Sequence, residues 1–112
     1  MKIRSLFFAG VWIISSAALG AAQTVTGKIS ALTSYSTYGN GDVLFEMETL
    51  PSGCNGGFWL KKDDPGFSGN LSIVLSAFHA GTTVKAAGYD TELWPAAPTV
   101  NYCRVTWLTL SK

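Results

Sequence analysis

At 112 residues, 47% hydrophobic and 13% charged, the chain has the size and composition of one small domain built around one core. The formal net charge is +1, without the basic footprint that a phosphate backbone demands, which argues against a nucleic-acid partner.

The chain begins with a secretory signal. Lys2 and Arg4 make a basic start, Leu6 to Leu19 an apolar stretch, and Gly20-Ala21-Ala22 a small-residue end, so residues 1–22 read as a signal peptide cleaved after Ala22. A transmembrane helix needs about 20 apolar residues. Ser15 and Ser16 weaken the run before that length, and no membrane insertion is expected after cleavage. The domain proper is then 23–112. It keeps all seven acidic residues and loses two of the eight basic ones, leaving six.

The first expected strand is Thr24 to Thr33, with Val25, Gly27, Ile29 and Ala31 on one face and a bend at Gly27. Ser34 to Asp42 is turn chemistry, in which Asn40-Gly41 supplies the φ > 0 pair of a tight antiparallel hairpin. Val43 to Thr49 alternates as a second strand: Val43, Phe45 and Met47 point one way, Leu44, Glu46 and Glu48 the other. A glycine-rich loop around Cys54 leads to a short third strand at Phe58 to Lys61, ended by Lys62-Asp63-Asp64-Pro65-Gly66.

Asn70 to Gly81 is the one segment with helical spacing. Leu71, Val74, Leu75 and Phe78 recur at i, i+3, i+4 and i+7 as the core face, Asn70 suits an N-cap, and Gly81 suits a C-terminal stop. A fourth strand, Thr82 to Tyr89, is expected to bulge at Gly88. Asp90 to Asn101 reads as a loop carrying Trp94. The fifth strand, Tyr102 to Leu110, places Cys103, Val105 and Trp107 on one face. Cys54 and Cys103, an even pair in an exported domain, are expected to form one disulfide.

Three strands, a helix and two strands are the element order of the OB-fold, so the fold class expected is mainly β: a five-stranded OB-fold-like barrel with one helix between strands 3 and 4. With its size, export, cysteine pair and a helix ending Ser76-Ala77-Phe78-His79-Ala80-Gly81, the chain resembles small exported OB-fold proteins. The pentameric B subunits of bacterial toxins are the best known of these, and the general plan is most similar to the subtilase-type B subunits. The resemblance implies a ring-shaped oligomer that binds glycans. Independently, Ile73, Ala77 and Ala80 extend the apolar arc of the helix, and no charged residue occurs from Pro65 to Val84. These three are the candidate oligomer interface.

The candidate ligand-binding residues are Tyr35, Tyr38 and Asn40, in a loop of the kind that OB-folds use for oligosaccharides, together with Trp94. A tyrosine ring stacks on a sugar face and an amide meets its hydroxyls. The competing reading makes the tyrosines rim packing. Trp59 and Trp107 are assigned to structure, drawn together by the disulfide. Catalysis has weak support: Glu46 and Glu48, about 7 Å apart on one strand face, lack a cleft, and His79 at a helix end satisfies carbonyls. Asp63-Asp64 is not a metal cage, and no metal or cofactor is expected. Asn70-Leu71-Ser72 fits a glycosylation sequon at a poor acceptor position. The reading that results is an exported, secreted or periplasmic, non-enzymatic binding module with a glycan or protein partner, working as a homo-oligomeric ring. A small periplasmic enzyme or enzyme inhibitor, and a structural component of an envelope assembly, are the alternatives.

Overall fold

The computed structural model describes residues 22–112. The expected signal peptide lies outside the described residues, apart from Ala22, which opens the first strand. Among the described residues no helix is long and apolar enough to cross a membrane. The elements are β1 (Ala22–Ser34), β2 (Val43–Met47), β3 (Gly57–Leu60), α1 (Phe67–Ala80), β4 (Thr83–Leu93) and β5 (Tyr102–Thr109). The domain is mainly β, with its one long helix between the third and fourth strands as expected. The sheet closes on itself in the order β1-β2-β3-β5-β4. The β3–β5 pair is parallel and the other pairs are antiparallel.

Closure depends on β1 serving two partners. Residues 22–28 pair with β4, and Ile29 to Ser34 pair with β2. The handover is a bulge: Ile29 faces Met47 while Ala31 faces Glu46, which leaves Ser30 extra. The bend expected at Gly27 therefore falls three residues later, because a bulge increases local twist where one ladder ends and the next begins. On β2 the expected alternation holds, with Val43, Phe45 and Met47 in the core and Glu46 exposed. The disulfide Cys54–Cys103 forms inside that core with its Cα atoms 5.4 Å apart.

Helix α1 departs from expectation in start and orientation. It begins at Phe67 with Gly66 as the N-cap, and Asn70 lies inside the helix rather than capping it. Phe67 N–H donates to the Asp64 carbonyl at 3.0 Å and Asn70 N–H to the Gly66 carbonyl at 2.9 Å. The Asp64-Pro65-Gly66 turn has thus already started the helical ladder before Asn70. The extra turn adds Phe67 to the buried stripe, which continues through Leu71 and Val74 to Ala77. Leu75 and Phe78, expected in the core, are each 42% exposed. Ala77, expected at an oligomer interface, is fully buried, and Ile73 is half-buried against the core. Of the three interface candidates only Ala80 is exposed. The stop at Gly81 is as expected: φ is +66°, and Gly81 and Thr82 N–H groups donate back to Phe78 and Ala77, closing a Schellman end.

β4 extends past Tyr89 to Leu93. Tyr89 faces Arg104 and Leu93 faces Cys103, so Asp90, Thr91 and Glu92 bulge out of the ladder. The bulge expected in the fourth strand at Gly88 falls instead on its partner β5: Ala87 faces Trp107 and Gly88 faces Val105. Thr106 is the extra residue, and its hydroxyl donates to the Ala87 carbonyl at 3.2 Å. This slip resets the alternation of β5. Val105 and Leu108 point inward, while Trp107, expected beside them, is 42% exposed.

Candidate functional site

The loop joining β1 to β2 spans residues 35–42 and is longer than the tight hairpin expected. Tyr35 N–H donates to the Asp42 carbonyl at 3.3 Å to close it. Asn40 and Gly41 have the positive φ expected of them, and Gly39 has it too. Gly39 has a second reason to be glycine, since a Cβ there would run into the Trp94 ring.

Trp94 is the hub of this end of the molecule. It is 4% exposed, and its indole Nε1–H donates to Asp42 Oδ2 at 3.1 Å. Asp42 is itself buried, and its Oδ1 accepts the Lys62 N–H at 2.8 Å, so both carboxylate oxygens have a donor. Tyr35 stacks on Trp94 at 5.4 Å between ring centroids, and Tyr102 meets it edge-on at 6.1 Å. With Leu44 and Trp59 they make a second, smaller core outside the closed sheet. Trp59 is buried as expected, its indole N–H donating to the Glu92 carbonyl at 3.0 Å. β3 is consequently covered on both faces.

This arrangement brings Tyr35, Tyr38 and Trp94 together and gives them different work. Trp94, placed among the ligand contacts from sequence, is a buried anchor, as is usual for an indole whose N–H finds an acceptor. Tyr35 is half-buried against it. Tyr38 is 60% exposed, yet held: its ring lies edge-on to Trp94 at 6.0 Å, and its hydroxyl donates to the Ala96 carbonyl at 2.9 Å. That bond ties the loop 35–42 to the loop 94–101. Asn40 is exposed in the same loop. What faces outward is a fixed aromatic ring with an amide nearby.

A second feature was not anticipated. A cleft of about 340 Å³ opens where the start of α1 meets β4 and β5. Arg104 of β5 lies in its wall and pairs with Asp64 through both Nε, at 3.1 Å, and Nη2. Its Nη1 donates to Glu92 Oε1 at 2.6 Å. The hydrogen bonds that Arg104 donates to Asp64 raise the guanidinium pKa most, burial works the other way, and the bond donated to Glu92 adds to the rise. Tyr89, Asn70 and Thr106 complete the polar lining. From sequence Asp64 is turn chemistry and Glu92 loop. The available signal was that Arg104 is the one arginine of the domain, the residue type suited to a bidentate carboxylate pair.

The remaining titratable candidates stay apart. Glu46 is exposed on the outer face of β2, and Glu48 is exposed beyond its end. Burial, then the charges of Glu46 and Tyr35, push the Tyr102 hydroxyl above its ordinary value. His79 is exposed in the last turn of α1. Among the described residues no three His, Cys, Asp or Glu side chains are grouped to hold a metal ion. No protein-family model matches the chain, and no curated protein is significantly similar to it.

Proposed function

We propose that this chain is an exported, non-enzymatic binding module with an OB-fold, and that it recognises a glycan through Tyr38 and the loops 35–42 and 94–101. The observation that carries this reading is the exposed Tyr38 ring, fixed by its bond to Ala96 and its contact with Trp94. A ring held in place stacks on a sugar face with little ordering cost. The closed order with a parallel β3–β5 pair, and the helix between β3 and β4, support the OB-fold reading; these two loops are those through which that fold binds oligosaccharides. The signal-like start and the disulfide support export. Glu46 exposed on the outer face of β2 and Glu48 exposed beyond its end favour binding over hydrolysis. The test is a glycan array probed with the oxidised protein and with Tyr38→Ala. Binding that disappears in the variant supports the reading; an array on which both proteins give the same pattern overturns it.

A second observation favours assembly into a ring, as the resemblance to toxin B subunits implies. Leu75 and Phe78 face outward on a helix that carries no charged residue. They take the interface role that Ile73 and Ala77 lose by facing the core. Light scattering across a dilution series tests this: a mass several times the monomer supports the ring, and a strict monomer sinks it.

A further inference from the structure

The Arg104 cleft has no part in the loop surface, sharing no residue with 35–42 or 94–101. Its volume, about 340 Å³, falls at the small end of small-molecule pockets. Arg104, Asp64 and the Thr106 hydroxyl are already held by hydrogen bonds. Arg104 commits three N–H groups to Asp64 and Glu92, which leaves two of the five donors of a guanidinium for other partners. Glu92 engages Arg104 through Oε1 alone, with 47% of its side chain exposed. The Thr106 hydroxyl spends its proton on Ala87, so its oxygen is free to accept. Asn70 offers both an amide donor and an acceptor. Tyr89, 42% exposed, gives the cleft an aromatic wall.

Charge decides what such a set accepts. One guanidinium against two carboxylates leaves the cleft negative by one, which disfavours an anion. Asp64 is occupied by Arg104 along both oxygens, so a divalent cation would find Glu92 alone, too few oxygens for a hard ion. A neutral ring bearing several hydroxyls matches the mixture, because each hydroxyl both donates and accepts while the C–H face lies on Tyr89. We infer that this cleft is a binding site for a single neutral sugar residue, with Tyr89 as the stacking wall and Arg104, held by Asp64 and Glu92, as the principal donor. The inference keeps the ligand class proposed above and stands on a separate surface, so either can fail alone.

The test follows backbone amide shifts of the isotope-labelled, oxidised protein by NMR while neutral methyl glycosides of glucose, galactose and N-acetylglucosamine are titrated in. The inference expects saturable shifts at Asn70, Tyr89 and Thr106 that persist in Tyr38→Ala. Tyr89→Ala is expected to weaken the site about tenfold, the loss of one aromatic contact. Three results would each overturn the inference: no glycoside moves the cleft amides, inorganic phosphate or ammonium moves them more than any glycoside does, or Tyr89→Ala leaves the affinity unchanged. Shifts confined to 35–42 and 94–101 would defeat it while leaving the loop surface intact as the glycan site. Shifts confined to the cleft would do the reverse.

Discussion

Replacing Trp94 by Phe keeps a large aromatic in the second core and deletes one donor, so it isolates the contact on which the loop surface rests. Trp94 donates to the carboxylate of Asp42, which is only 3% exposed. A hydrogen bond to a charged group contributes about 1.5–3 kcal/mol, and a buried oxygen stripped of its donor keeps its desolvation cost. The expected loss is therefore about 2–3 kcal/mol, equivalent to a Tm drop of about 10–20 °C for a domain of this size. Urea unfolding of the oxidised protein measures it, with an unchanged m-value showing that only the native state has been weakened. In an Asp42→Asn background the same substitution should cost about 1–2 kcal/mol less, since the charge that made the contact strong is gone. A loss below about 0.5 kcal/mol in the wild-type background, or an equal loss in both, would refute the argument.

On α1, Val74→Ala should cost about 2–3 kcal/mol in urea unfolding because Val74 is fully buried. Phe78→Ser should cost under about 1 kcal/mol of domain stability, reversing the ranking that residue size suggests. Removing the disulfide with Cys54→Ala and Cys103→Ala together opens a loop of 49 residues and should lower stability by about 4 kcal/mol. The raised pKa of Tyr102 predicts a tyrosine that ionises above the ordinary 10.0 in an NMR titration. Between that value and its folded pKa the native state holds a proton that the unfolded chain has lost, so the Tyr102 contribution to stability falls as pH rises through this window. Glu46→Gln should lower the pKa only in part, because burial is the larger cause.

Most of the strands were legible because alternation reports directly which face is buried. β2 is the clearest case, down to the exposed Glu46. Where bulges intervene, that logic fails after the bulge: Trp107 was assigned inward by counting twos from Cys103, and the extra Thr106 turned it out. The helix was legible as a helix and at its Gly81 end. Its buried face was not, because the start at Phe67 depends on backbone hydrogen bonds in the Asp64-Pro65-Gly66 turn rather than on a capping side chain. At the candidate site, the grouping of Tyr35, Tyr38 and Trp94 follows from two loops meeting in space, and loop chemistry pointed to each of them separately. Which of the rings stays exposed was decided by Asp42, a residue that reads as ordinary turn polarity until Trp94 and Lys62 are seen to share it. The cleft was hidden for a similar reason, since Asp64, Glu92 and Arg104 come from three distant parts of the chain.

Calorimetric titration of the strongest glycan from the array, into the oxidised wild-type protein and into Tyr38→Ala, bears on the loop surface itself. Wild-type binding, weakened about tenfold or more in a variant that melts at the wild-type temperature, is the expected result. Equal affinity in the two proteins would contradict the proposal that Tyr38 is the contact through which this domain holds its ligand.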